Sequence, residues 1–200
     1  MILRYSYALL APIYDWVVAG ATAPLRRHSL KRISTSTEQN ILLAGVGTGL
    51  DFAYLPDHHQ YTGLDLTPQM LRRAERRIGA NQRITLQRGN AMAMPYADQQ
   101  FDTTILHLIL AVVPEPVNVL REAARVTKPG GQILILDKFI RPGKWAPTRR
   151  LINLLMRYIA TRTDVVFEQV LQQVEGLTPL SDEPALLNGW FRYITLEKRD

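Results

Sequence analysis

Ile41-Leu42-Leu43-Ala44-Gly45-Val46-Gly47-Thr48-Gly49 decides the fold of this 200-residue chain. The apolar residues that open the stretch are typical of a short buried strand, and three glycines at alternate positions follow them. Glycine allows a sharp backbone turn and lets a ligand approach where a Cβ atom would collide. The stretch therefore predicts a strand and then a nucleotide-type binding loop, after which a helix can begin at residues 50–55.

The residues around and after the glycines indicate which class of ligand the loop binds. A dinucleotide-binding loop would need a glycine at position 50, which is Leu50, and no Lys-Ser/Thr pair follows as in a phosphate-binding loop. Twenty residues past Gly45, the next strand ends at Asp65, where a carboxylate can accept both ribose hydroxyls. The spacing favours an adenosine ligand without a phosphate chain.

Strands and helices alternate along most of the chain, which predicts a single domain with an α/β fold and a mostly parallel seven-stranded sheet. The last two strands should form an antiparallel hairpin joined near Asn188-Gly189. The predicted strands are 40–44, 60–65, 83–88, 101–107, 131–137, 177–183 and 190–197. The predicted helices after the glycine loop are 70–78, 117–127, 147–160 and 166–174.

Several further motifs occur in a characteristic order. They are Gly63-Leu64-Asp65-Leu66-Thr67-Pro68-Gln69-Met70-Leu71, Arg88-Gly89-Asn90-Ala91, Phe101-Asp102 and Leu120-Arg121-Glu122-Ala123-Ala124-Arg125-Val126-Thr127-Lys128-Pro129-Gly130-Gly131. With the glycine loop, they make residues 38–138 resemble the class I S-adenosylmethionine (SAM)-dependent methyltransferases, which have a Rossmann-like domain. Two positions depart from that family: Leu43 stands where an acid is usual, and Asn90 replaces an aspartate.

The resemblance implies which residues hold SAM. It assigns the glycines to the methionine end, Asp65 to the ribose, and Asn90 and Ala91 to the adenine. The whole set expected to bind the cofactor is Gly45, Val46, Gly47, Gly49, Asp65, Leu66, Met70, Asn90, Ala91 and His107.

Two residues are candidates for catalysis. His107 ends the fourth predicted strand, where its near-neutral reference pKa would suit proton removal from the acceptor, but a histidine in this apolar segment also fits a wall residue. Tyr14 belongs to an Ala11-Pro12…Tyr14-Asp15 entry that resembles the ubiquinone and menaquinone methyltransferases and the soluble bacterial phosphatidylethanolamine N-methyltransferases. Weaker candidates for substrate contact are Tyr5, Asp137, Lys138 and Tyr158.

The predicted domain has four parts: an N-terminal helical cap (1–37), a SAM-binding core (38–138), a helical lid (139–176) and C-terminal strands (177–200). The chain has no cysteine and four histidines, so we expect no thiolate chemistry and no metal site. No apolar run has the roughly 20 residues needed to span a bilayer. The apolar start is interrupted by Pro12 and Asp15, and we expect it to be retained and the protein to be cytoplasmic.

A net charge of +6 attracts the protein to anionic partners. Two basic, apolar-rich segments, 1–33 and 144–160, suit the surface of an anionic membrane, and the favoured acceptor is a small amphiphile such as a phospholipid amine. A small hydrophobic thiol, phenol or quinone precursor is the alternative. Methylation of nucleic acid is disfavoured because the basic residues are spread over helices; a non-catalytic SAM-binding module stays open because of Leu43.

Overall fold

The computed structural model describes residues 20, 22–80, 82–139, 165–186 and 189–200. Seven strands form one sheet: β1 (Asn40–Ala44), β2 (Gln60–Asp65), β3 (Arg83–Arg88), β4 (Phe101–His107), β5 (Thr127–Lys138), β6 (Leu177–Leu186) and β7 (Phe191–Lys198). In the described part of the chain the α-helices are α1 (22–30), α2 (Pro68–Glu75), α3 (Pro116–Val126) and α4 (Phe167–Leu171). The predicted helix 147–160 and the candidates Tyr5, Tyr14 and Tyr158 lie outside the described residues.

The strand order is β3-β2-β1-β4-β5-β7-β6. Strands β1 to β5 are parallel where they pair, while β7 runs antiparallel to both β5 and β6. This is the mostly parallel α/β sheet with an antiparallel C-terminal hairpin that the sequence predicts. Because order reverses between β1 and β4, the carboxyl ends of these two strands flank the crevice where open α/β sheets bind ligands.

Alternate residues of β1 enter two separate cores, one on each face of the sheet. Leu43 packs with Leu30 of α1 and with Phe52, whereas Leu42 packs with Leu120 of α3 and with other apolar residues of that helix and of α4. Leucine side chains buried this completely contribute about 1.5–3 kcal/mol each. Helix α1 therefore packs on the same face of the sheet as Phe52, which follows the glycine loop.

Several elements differ from their predicted extents, α2 and β6 among them. The helix expected from residue 50 is a single 3₁₀ turn, Phe52–Tyr54, because Pro56 follows and disfavours a helical conformation at Leu55. Strand β5 starts at Thr127, before the predicted residue 131, because Thr127 already pairs with Phe101. Helix α4 is shorter than predicted.

Within the described residues, no helix combines the length and the apolar character needed to cross a bilayer.

Candidate SAM-binding site

All three glycines of the loop have a left-handed backbone, with φ of +75° at Gly45, +58° at Gly47 and +78° at Gly49. A Cβ atom at Gly45 would lie 2.4 Å from the Cδ1 atom of Ile109, and one at Gly49 would lie 2.7 Å from the ring of Phe52. At Gly47 the nearest atom would be 4.0 Å away. The two outer glycines are thus enclosed by protein, while the space over Gly47 is open to a ligand.

The carboxylate of Asp65 holds this loop. Its Oδ2 atom accepts the N–H of Gly47 at 2.9 Å and its Oδ1 atom accepts the N–H of Thr67 at 2.8 Å. Burial raises the pKa of Asp65, and these two N–H donors partly offset the effect. Each oxygen has a second lone pair, so the same carboxylate can still accept hydrogen bonds from a ligand's hydroxyls.

The neighbouring strand ends meet around this contact. The carbonyl of Leu64 accepts the N–H groups of both Gly45 and Val46, at 2.8 and 2.9 Å, and the carbonyl of Asp65 accepts the N–H of Gly89 at 3.0 Å. The ends of β1, β2 and β3 are therefore joined by backbone hydrogen bonds at the edge where the sequence places its cofactor residues.

The residues expected near the adenine have mixed environments. Leu66 is 53% exposed, an uncovered apolar surface next to the ribose-binding candidate. Met70 is half-buried and Ala91 is buried. The Oδ1 atom of Asn90 accepts the N–H of Met92 at 3.0 Å, so Asn90 shapes a turn in this structure, and its contact with adenine stays a prediction.

His107 is buried and both of its ring nitrogens have partners. Nδ1 lies 2.9 Å from Oδ1 of Asp51, and Nε2 lies 2.9 Å from the hydroxyl of Ser29. A ring sealed in this way favours the interpretation of His107 as a wall residue. Its predicted roles in catalysis and in cofactor binding stay predictions, as does that of Tyr14.

The loop after β4 reaches across the glycine loop. Leu108 has a φ of +57°, uncommon for a leucine, and the next side chain, Ile109, covers Gly45. The buried carboxylate of Asp137, at the end of β5, fixes this loop by accepting the N–H of Ala111 at 3.1 Å. Burial raises the pKa of Asp137 to about 6.

Residues on α1 and just after the loop were not anticipated from the sequence. Arg26, Ser29 and Asp51 are buried and form a polar network with His107. The signals were present but weak: an acid within the apolar segment after Gly49, and an arginine and a serine three residues apart on one helix.

A cavity of about 490 Å³ lies elsewhere, at the amino ends of strands β1 to β4, and contains none of the predicted cofactor residues.

Comparison with known proteins finds similarity to methyltransferases. Residues 42–135 match a family described as a methyltransferase domain. The chain is 27% identical over 191 residues to the phosphatidylethanolamine N-methyltransferase of Cereibacter sphaeroides, covering 94% of this chain and 93% of that protein. It is 38% identical over 120 residues to the demethylmenaquinone methyltransferase of Halalkalibacterium halodurans, covering 56% of this chain but 48% of the relative.

A solved structure supports the fold. The putative methyltransferase in a complex with the Haloferax volcanii Trm112 activator superposes with a TM-score of 0.78 at 15% identity, covering 96% of this chain and 97% of that one. Residues 42–135 match the methyltransferase domain family, and this match, the methyltransferase relatives and the shared fold together support a SAM-dependent methyltransferase. The open space over Gly47, the exposed Leu66 and the carboxylate of Asp65 fit SAM as its cofactor.

The two glycines Gly47 and Gly49 should separate cofactor binding from stability. Gly47→Ala should lower the free energy of unfolding by about 1–2 kcal/mol, the cost of a left-handed alanine, but weaken SAM binding at least tenfold because the methyl group enters the ligand's space. Gly49→Ala should cost more stability, because its Cβ atom meets the buried ring of Phe52. Urea titration and calorimetric titration with S-adenosylhomocysteine (SAH) measure both effects; unchanged SAH affinity in Gly47→Ala would contradict the assignment.

Asp137 makes stability depend on pH. Its folded-state pKa of about 6 exceeds the ordinary 3.8, so its contribution is fully present below pH 3.8 and is lost as the pH rises through 6. Relative to Asp137→Asn, the wild type should lose about 1 kcal/mol of unfolding free energy between pH 5 and pH 7. Urea unfolding of both proteins across this range measures the difference, and a difference that does not change with pH would show that Asp137 has an ordinary pKa.

Proposed function

We propose that this methyltransferase transfers the methyl group of SAM to the amine of a phospholipid headgroup, with phosphatidylethanolamine as its acceptor. The observation that carries the proposal is the extent of similarity. The match to the phosphatidylethanolamine N-methyltransferase covers 94% of this chain, whereas the match to the demethylmenaquinone enzyme covers 56%. The near-complete match therefore includes most of the sequence outside the core, where the acceptor-binding parts are predicted.

The charge of the N-terminal helix supports contact with an anionic membrane, but with fewer residues than the sequence offers. Arg27 and Lys31 are exposed on or just after α1. Two other arginines are already paired with carboxylates: Nη1 of the buried Arg26 lies 2.8 Å from Oδ2 of Asp51, and Nη2 of Arg32 lies 2.9 Å from Oε2 of Glu183. Exposed cations attract anionic headgroups at about 1 kcal/mol each, so Arg27 and Lys31 are the described part of the docking surface that we propose. The basic residues of 144–160, which the sequence suggests as a further part, lie outside the described residues.

Methyl transfer from SAM to an amine requires the protein mainly to align the two reactants. SAM would supply a methyl group on a positively charged sulfur, and the amine nitrogen would bond to this carbon as the carbon–sulfur bond breaks and its electron pair stays on sulfur. Gly47 and Asp65 would hold the cofactor, and Ile109, packed over Gly45, would shield the loop from water. The headgroup ammonium loses a proton to solvent before its nitrogen attacks, and the methylated ammonium that forms loses a proton to solvent before the next transfer, so the proposal requires no base from the protein.

A second candidate acceptor is a small quinone precursor. It is favoured by the higher identity, 38%, to the demethylmenaquinone methyltransferase, although this chain spans 48% of that relative. The apolar face of Leu66 and the predicted lid would then shelter a hydrophobic ring.

Transfer of radiolabel from SAM into lipid tests the proposal. Vesicles of phosphatidylethanolamine with an anionic lipid should yield labelled mono- and dimethylated headgroups. Arg27→Glu combined with Lys31→Glu should lower the rate several-fold on vesicles, because the docking charge is reversed, but leave the rate on detergent-dispersed lipid unchanged.

Arg72→Glu combined with Arg76→Glu is the matched control, because it reverses the same number of exposed charges on and just after α2, on a face that we interpret as solvated. It should retain most of the activity on vesicles. Protein that binds SAH yet leaves phosphatidylethanolamine unlabelled would reject the phospholipid acceptor, and label in an added demethylquinone would establish the second candidate.

A further inference from the structure

Asp51 lies two residues after the glycine loop and is buried between α1 and the end of β4. Its Oδ2 atom is 2.8 Å from Nη1 of Arg26, and its Oδ1 atom is 2.9 Å from Nδ1 of His107. Only 3% of Asp51 is exposed. Because this carboxylate is buried and both of its oxygens bind protein groups, we interpret Asp51 as a residue that fixes the arrangement of its surroundings.

The protonation states follow from these contacts. Burial alone would raise the pKa of Asp51, but Arg26 and His107 outweigh it and hold that pKa well below its usual range. Because an ionised carboxylate only accepts hydrogen bonds, Nδ1 of His107 carries the proton that it donates to Asp51. With Nδ1 as the donor to Asp51, Nε2 can accept the hydroxyl proton of Ser29 at 2.9 Å.

Two residues of helix α1 interact with this carboxylate, one directly and one through His107. Arg26 bonds directly to Asp51, and Ser29, three residues later on the same helix face, bonds to it through His107. Thr22 accepts the Nε–H of Arg26 at 3.2 Å and orients the guanidinium group. The polar face of α1 therefore lies between the exit of the glycine loop and the end of β4.

Both ends of the glycine loop depend on this network. Asp51 sets the exit of the loop beyond Gly49, while His107 precedes the segment that places Ile109 over Gly45. A cavity of about 250 Å³, lined in part by Arg26 and Gly49, opens beside the exit. A shift of α1 would move a wall of this cavity and both supports of the loop.

We propose that Asp51 is a positioning residue that couples the seating of helix α1 to SAM binding. Leu43, where the family usually has an acid, is 2% exposed and lies in the same buried apolar cluster as Leu30 of α1. A carboxylate at residue 43 would be buried without a partner in that apolar cluster, which is costly. The same packing brings Arg26 within reach of Asp51.

Calorimetric titration with SAH and hydrogen exchange of α1 test the coupling directly. Asp51→Asn should raise the dissociation constant of SAH at least tenfold, and SAH should no longer protect the backbone amides of 22–30 from exchange. Asp57→Asn is the matched control, because it neutralises an exposed carboxylate in the following loop, and it should bind SAH like the wild type.

A double variant separates positioning from stability. Asp51→Asn leaves the charge of Arg26 buried and unpaired, so the combination of Asp51→Asn with Arg26→Met should recover most of the lost stability. It cannot restore the link to α1, so its SAH affinity should stay at least tenfold below the wild type.

If Asp51→Asn alone does not fold, the double variant still tests whether Asp51 positions α1 for SAM binding. Recovery of SAH affinity together with stability would overturn the proposal, as would SAH affinity within twofold of the wild type in either variant. These readouts require no methyl acceptor, so they are independent of whether phosphatidylethanolamine is the substrate.

Discussion

The hydrogen bond from the Gly47 N–H to the carboxylate of Asp65, 2.9 Å long, is the constraint on which the rest of the site depends. It joins the loop after β1 to the end of β2 and keeps a left-handed glycine facing open space. The sheet order makes the contact possible by setting β1 beside β2, and the paired backbone groups of Leu64 and Gly45 fix its register. The carboxylate that is expected to hold the ribose thus also shapes the loop that receives the cofactor.

The second organising interaction is the buried network around Asp51. It places charged groups where apolar packing alone would be more stable, and such pairs are better explained by the arrangement that they specify than by the stability that they add. Here the arrangement is the position of α1 over the face of the sheet on which Leu43 and the 3₁₀-turn residue Phe52 share an apolar cluster. Under the proposal for Asp51, α1 supports the cofactor site as well as covering the core.

Much of the fold was predictable because its signals are local. The apolar run before Gly45 and the acid at the end of the next strand follow directly from strand and loop chemistry, and all seven predicted strands are present. The contacts of Asp51 and His107 were beyond such reasoning, because residues 25 to 78 positions apart meet only after α1 packs on the sheet. The 3₁₀ turn at Phe52 likewise reflects a proline four residues later, whose influence on a short helix is hard to weigh in advance.

The most direct test of the account is calorimetric titration of SAH into the wild type and into Asp65→Asn. Asparagine keeps the size of the side chain, but one of its two terminal atoms can no longer accept a hydrogen bond. The account predicts one binding site in the wild type and at least tenfold weaker binding in the variant, with little change in the midpoint of urea unfolding. Equal affinities in the two proteins would show that the Asp65–Gly47 contact does not form the cofactor site.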